Sequence, residues 1–167
     1  MIRDSEIKRL ILYAKALDVK VNIRNYSFDH PAEFIEDVKW TININKKKHT
    51  SKTAIIMSLL HELSHVRYLI LTGDNDSEAW QLEEDRLENK RKSVPKKLRY
   101  DIMKFETESL KLMPIIAKEL KLKVTESKVL ENMAFDQFVY RYYYKFGVYP
   151  KNKILDKKRK KLRKKYS

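Results

Sequence analysis

From Ala54 to Ile70 the chain runs without a Gly or Pro, and apolar residues take most of the positions. The run carries His61-Glu62-Leu63-Ser64-His65, an H-E-x-x-H pattern. Ile55, Ile56, Leu59, Leu60, Leu63, Val66, Leu69 and Ile70 cover most of a helix circumference, which predicts a buried central helix. Thr50 and Ser51 are candidate N-caps, and Gly73 stands where such a helix would end. Burying two imidazoles and a carboxylate there is costly unless something satisfies them. Residues four apart share one helix face, so His61 and His65 can ligate a single metal ion. Zn²⁺ takes imidazole nitrogen at about 2.0–2.1 Å and keeps an open position for water in catalytic sites. Glu62 stands where its carboxylate can accept a proton from that water. The motif points to a zinc hydrolase, with a peptidase as the leading reading. Mn²⁺, Fe²⁺ or Ni²⁺ suit the same donors.

A third protein ligand is required. The longer pattern H-E-x-x-H-x-x-G-x-x-H is excluded, because Tyr68 and Leu71 occupy the Gly and His positions. No His follows His65 and there is no Cys, so the ligand is a carboxylate unless His30 or His49 folds back. Leu71 to Asp76 reads as a tight turn, with a second helix from about Asp76 to Lys92. A short turn makes the two helices antiparallel neighbours. By that count alone, Glu83, Glu84 and Asp85 also reach the level of the histidines.

The histidine pair, followed thirteen residues later by Glu78-Ala79-Trp80, resembles the zincin-like metallopeptidases of the ImmA/IrrE type and related phage proteins. The resemblance covers Val38 to Leu87, roughly a third of the chain. It implies a gluzincin-type site with one Zn²⁺ per chain, held by His61, His65 and Glu78, and Glu62 as general base. The sequence departs from the family at Trp80, where Asn or Asp is frequent.

Two Gly and four Pro suit a helix-dominated chain. Ile7, Leu10, Ile11 and Ala14 predict a helix within Arg3 to Leu17. Val19, Val21 and Ile23 alternate with polar residues, as do Val38, Trp40, Ile42 and Ile44, which predicts two strands. Asn25 to Asp37, containing Pro31, reads as turn or loop. Beyond Lys92 the pattern is helical from Pro95, broken near Met113 by Pro114, linked through Leu122 to Val124, and helical again from Ser127 to Phe146. The aromatic stripe on that last segment has helical spacing and reads as packing core rather than a base-stacking platform. The expected class is α+β and helix-dominated. Its order matches a minimal zincin core, a small β-sheet packed on the H-E-x-x-H helix and a ligand helix, with added C-terminal helices. One domain is expected over residues 1–150, with a core of about 1–92 and a helical extension of about 95–147.

Residues 151–167 are expected to form a basic, disordered tail. Ten Lys or Arg there face Asp156 alone, a large share of the chain's net charge of +14. Such a tail can hold phosphate backbones without sequence preference. The absence of Cys fits a reducing compartment. No signal peptide is recognisable at Met1 to Tyr13, and the apolar run around the motif is interrupted by charge. A cytoplasmic protein with no membrane association is the expectation.

A protein or peptide substrate follows from the peptidase reading. The strand from Val38 to Asn45 is expected to offer a free edge to an extended peptide. Tyr68, Tyr100, Tyr140, Tyr142, Tyr143 and Tyr144 are candidates to stabilise the oxyanion. The alternative is a nucleic-acid-associated protein that uses the basic tail and keeps a structural or inactive zinc site.

Overall fold

The computed structural model describes residues 5–27, 32–35, 40–49, 51–73, 96–146, 148 and 150–166. They form a helix-dominated α+β fold with one three-stranded sheet. The expected ligand helix, with Glu78, Glu83, Glu84 and Asp85, lies outside the described residues.

Ile7, Leu10 and Ala14 recur at helical spacing and bury one face of α1 (Ser5–Ala16). Asp18 follows that helix with φ of 58°, a left-handed conformation that Asp tolerates because its short side chain bonds locally. Then comes β1 (Lys20–Arg24), as the alternation predicts. A further strand, β2 (Ala32–Ile35), lies inside the segment expected to be loop. Four residues directly after a proline are too short a run for alternation to register. The last strand, β3 (Thr41–Asn45), is central, parallel to β1 and antiparallel to β2. The free edge expected on this strand is therefore not there, since β1 and β2 take its two sides. With the period of two that a strand imposes, Ile42 and Ile44 enter the core from one face. On the other, buried Asn43 accepts from Asn22 Nδ2 at 2.9 Å and from the Tyr26 hydroxyl at 2.7 Å.

The motif lies on α2 (Lys52–Thr72), capped at both ends by the residues expected to do so. Ser51 Oγ accepts from the Ala54 N–H at 3.2 Å. Gly73, at φ of 67°, donates its N–H to the Leu69 carbonyl at 2.9 Å. Among the described residues α2 alone has the length and apolar composition of a membrane span, and half of that window is buried within the fold. Ile56, Leu59, Leu60, Leu63, Val66 and Leu69 expose almost nothing.

Among the described residues four more helices follow: α3 (Lys96–Leu110), α4 (Leu112–Glu119), α5 (Glu126–Phe146) and α6 (Asn152–Tyr166). Pro114 explains the division between α3 and α4. Its missing N–H cannot bond the Leu110 carbonyl, so α3 ends there, and the proline is tolerated in the first turn of α4. The central helix α2 is packed by α1, β2, β3, α3 and α4, while α5 lies on α3 and α4.

Two side chains of α1 fasten the turn that launches α5. Arg9 donates to the carbonyls of Leu120 and Lys121 at 3.2 and 2.7 Å. Buried Glu6 accepts from the Lys123 N–H at 2.6 Å. Lys121 is itself left-handed, with φ of 48°, so these bonds satisfy backbone groups at a strained turn.

The basic segment corrects the expectation of a disordered tail, because residues 152–166 are helical and packed on α5. Leu162 is 5 % exposed. Lys158 Nζ sits 5.0 Å from the centre of the Phe138 ring, and the Arg159 guanidinium 4.4 Å from that of Phe135. Aliphatic stems and ring faces thus hold a segment that its charge alone would fray. The aromatic stripe of α5, expected as packing core, is half-buried rather than buried, with Phe146 54 % exposed, and Phe135 and Phe138 lie under Arg159 and Lys158.

Candidate metal centre

His61 and His65 sit one turn apart on α2 and present the same atom to the same space. Their Nε2 atoms are 3.0 Å apart, with ring centres separated by 4.8 Å. The third donor comes from α3. Oε2 of Glu106 lies 3.5 Å from Nε2 of His65, and both residues are nearly sealed, at 4 and 3 % exposure. Three ligand atoms from His61, His65 and Glu106 fall within 4.8 Å of one another.

These distances can be tested against a metal. A tetrahedral ion with bonds of about 2.0–2.1 Å separates its ligand atoms by about 3.3 Å. Two of the three edges, at 3.0 and 3.5 Å, bracket that value, and all three atoms lie within 4.8 Å of one another. Two imidazoles and one carboxylate are also a donor set suited to a borderline divalent cation. The three side chains could hold a metal ion.

The surroundings fix the orientation of both histidines. Nδ1 of His61 donates to Oδ2 of Asp136 on α5 at 3.2 Å, leaving Nε2 to face inward. Asn132 Nδ2 donates to the same carboxylate oxygen at 2.8 Å. His65 is fixed differently, by a near-parallel stack on Phe105 with ring centres 5.2 Å apart. Tyr68 closes on the same Phe105 ring edge-on. Buried Ser64 donates back to the His61 carbonyl at 2.6 Å.

Electrostatics divides the pair. Burial opposes charge on His61, yet the Asp136 hydrogen bond and the charges of Glu62, Asp136 and Glu106 outweigh it and push its pKa up to about 9. Burial, and then the charge on His61, drive His65 well below the usual imidazole range. Without metal the pair therefore shares one proton. The proton favours His61, and the two Nε2 atoms face each other across 3.0 Å.

The structure brings together part of the set read from the sequence. His61 and His65 converge, and Glu62 acts on His61 through its charge. Glu78 and its alternatives Glu83, Glu84 and Asp85 lie outside the described residues, as does His30. His49 follows the 3-10 turn Lys46–Lys48 and is not part of the cluster. Among the candidate tyrosines, Tyr140 on α5 reaches the centre, its hydroxyl 3.4 Å from Nε2 of His61. Tyr100 is 70 % exposed, and Tyr142 packs against Phe138 and Phe146. Glu106 and Asp136 were missed. Each had a signal: Glu106 interrupts an apolar stripe through Ile102, Leu110 and Met113, and Asp136 shares a face with Val129 and Tyr140.

Comparison of the chain with protein-family models, with characterised proteins and with solved structures gives no match.

Proposed function

We propose that this protein is a zinc-dependent metallopeptidase with a zincin-type core, in which His61, His65 and Glu106 hold the metal. The observation that carries the reading is the triangle of donor atoms, with an H-E-x-x-H carboxylate beside it. On this reading the third ligand is Glu106 of α3 in place of Glu78. A zinc ion held there supplies Lewis acidity, which polarises a peptide carbonyl and brings the pKa of water towards neutrality.

The chain's own residues supply the rest. Glu62 follows His61 directly on α2, about 100° round the helix, and accepts the proton of the attacking water. It then returns that proton to the leaving amine. Asp136 keeps His61 in the tautomer that ligates through Nε2. The Tyr140 hydroxyl, on the ligating side of His61, is placed to donate to the oxyanion. Phe105, stacked on His65, keeps that side of the centre apolar, which strengthens these interactions.

The test uses Glu62→Gln in zinc-loaded protein with an unstructured protein such as casein and a mixed peptide library. Wild type should cleave, and the variant should keep its zinc and lose cleavage. Cleavage that persists in Glu62→Gln removes the assignment of the base.

A further inference from the structure

We propose that α6 is a binding surface for the phosphate backbone of duplex nucleic acid, built on the side of α5 that faces away from the metal centre. The inference does not depend on peptidase activity.

At about 100° per residue, Leu155, Lys158, Leu162 and Tyr166 share the side of α6 turned towards α5. They are half-buried or buried. Lys153, Lys157, Lys160 and Lys164, at i, i+4, i+7 and i+11, form one stripe on the opposite side, and all four are exposed. Among the described residues, none of the four is in an ion pair, whereas Arg163 on the flank lies 3.7 Å from Glu131. Like charges one turn apart destabilise a helix. The stripe thus works against its own helix, which is retained by burial of Leu162 and by Lys158 and Arg159 seated on Phe138 and Phe135. A run of positive charge fixed on a docked helix is a different object from a solvated tail, because little order is lost when it binds.

The shape of the surface selects the partner. From Lys153 to Lys164 the stripe is about 16 Å long at 1.5 Å per residue, the axial rise of roughly five nucleotides of one strand. Single strands are held largely by stacking on aromatic rings, and here Phe135 and Phe138 are covered by Arg159 and Lys158. A helix that lies in a membrane interface turns its apolar face outward, and α6 turns its own inward onto α5. A fixed row of exposed lysines matches the phosphates of a duplex. On α5, Asp136 and Tyr140 face the metal centre, while Glu131, Phe135 and Phe138 face α6. The two sites occupy opposite sides of one helix.

The experiment is duplex binding by fluorescence anisotropy, with two unrelated random-sequence duplexes at rising salt. Both should bind alike. Four phosphate contacts give a log–log salt slope of about −3 to −4, or roughly hundredfold weaker binding between about 50 and 200 mM salt. The combined variant Lys153→Gln, Lys157→Gln, Lys160→Gln and Lys164→Gln should bind at least tenfold more weakly, with a melting temperature equal to or above wild type. Three results overturn the proposal: no duplex binding by wild type at low salt, equal binding by the combined variant, or binding to phosphatidylserine vesicles without binding to duplex.

Discussion

Oδ2 of Asp136 accepts from Nδ1 of His61 at 3.2 Å, a contact that joins α5 to α2 across 75 positions of the chain. It fixes which imidazole nitrogen faces Glu106. Asn is close to Asp in size but carries no charge, so Asp136→Asn should leave the fold intact and weaken zinc binding by about 10–100-fold. Competition against a chelator of known affinity measures this. Unchanged affinity would show that Asp136 does not orient the ligand.

Zinc binding should release a proton. In the metal-free protein His61 is protonated at neutral pH, since its pKa is raised to about 9, and a metal must displace that proton. Competition grows as pH falls. Affinity should therefore rise about tenfold per pH unit through the neutral range and level off as His61 itself deprotonates. Calorimetry in buffers of different ionisation enthalpy counts the protons released. A heat that does not vary with buffer contradicts the shared-proton arrangement.

The Tyr140 hydroxyl approaches His61 Nε2 without being part of the donor triangle. Tyr140→Phe should keep full zinc content and lower kcat by about 10²-fold, with a smaller effect on KM. An unchanged kcat would assign that hydroxyl to packing.

Leu162 anchors α6. Leu162→Ala should cost about 2–3 kcal/mol at this contact, and the amides of α6 should exchange faster while those of α2 do not. Equal exchange in variant and wild type would mean that the basic helix is held by something else.

Local features were legible where one segment carries its own pattern. Ser51, the apolar run and Gly73 define α2 without reference to any other element, and alternation shows β1 and β3. The pieces that were hidden depend on distant partners. Glu106 reaches His65 only once α3 has packed on α2, and in the sequence it shows only as an acid interrupting an apolar stripe. The short strand β2 has too few residues to show a period and is recognisable through its pairing with β3. In α6 the run of Lys and Arg conceals Leu155 and Leu162, whose significance lies in the aromatic face of α5 that receives them. The zinc-binding reading of the H-E-x-x-H pair needed only the helical period. Its carboxylate partner needed the tertiary fold.

The central claim is the ligand set, and zinc per chain by elemental analysis tests it most directly. Wild type, His61→Ala, Glu106→Ala and Glu78→Ala should be purified alike, dialysed, and reloaded with zinc. About one zinc per chain is predicted for wild type and for Glu78→Ala, with loss in His61→Ala and in Glu106→Ala. Zinc retained in Glu106→Ala and lost in Glu78→Ala would contradict the account.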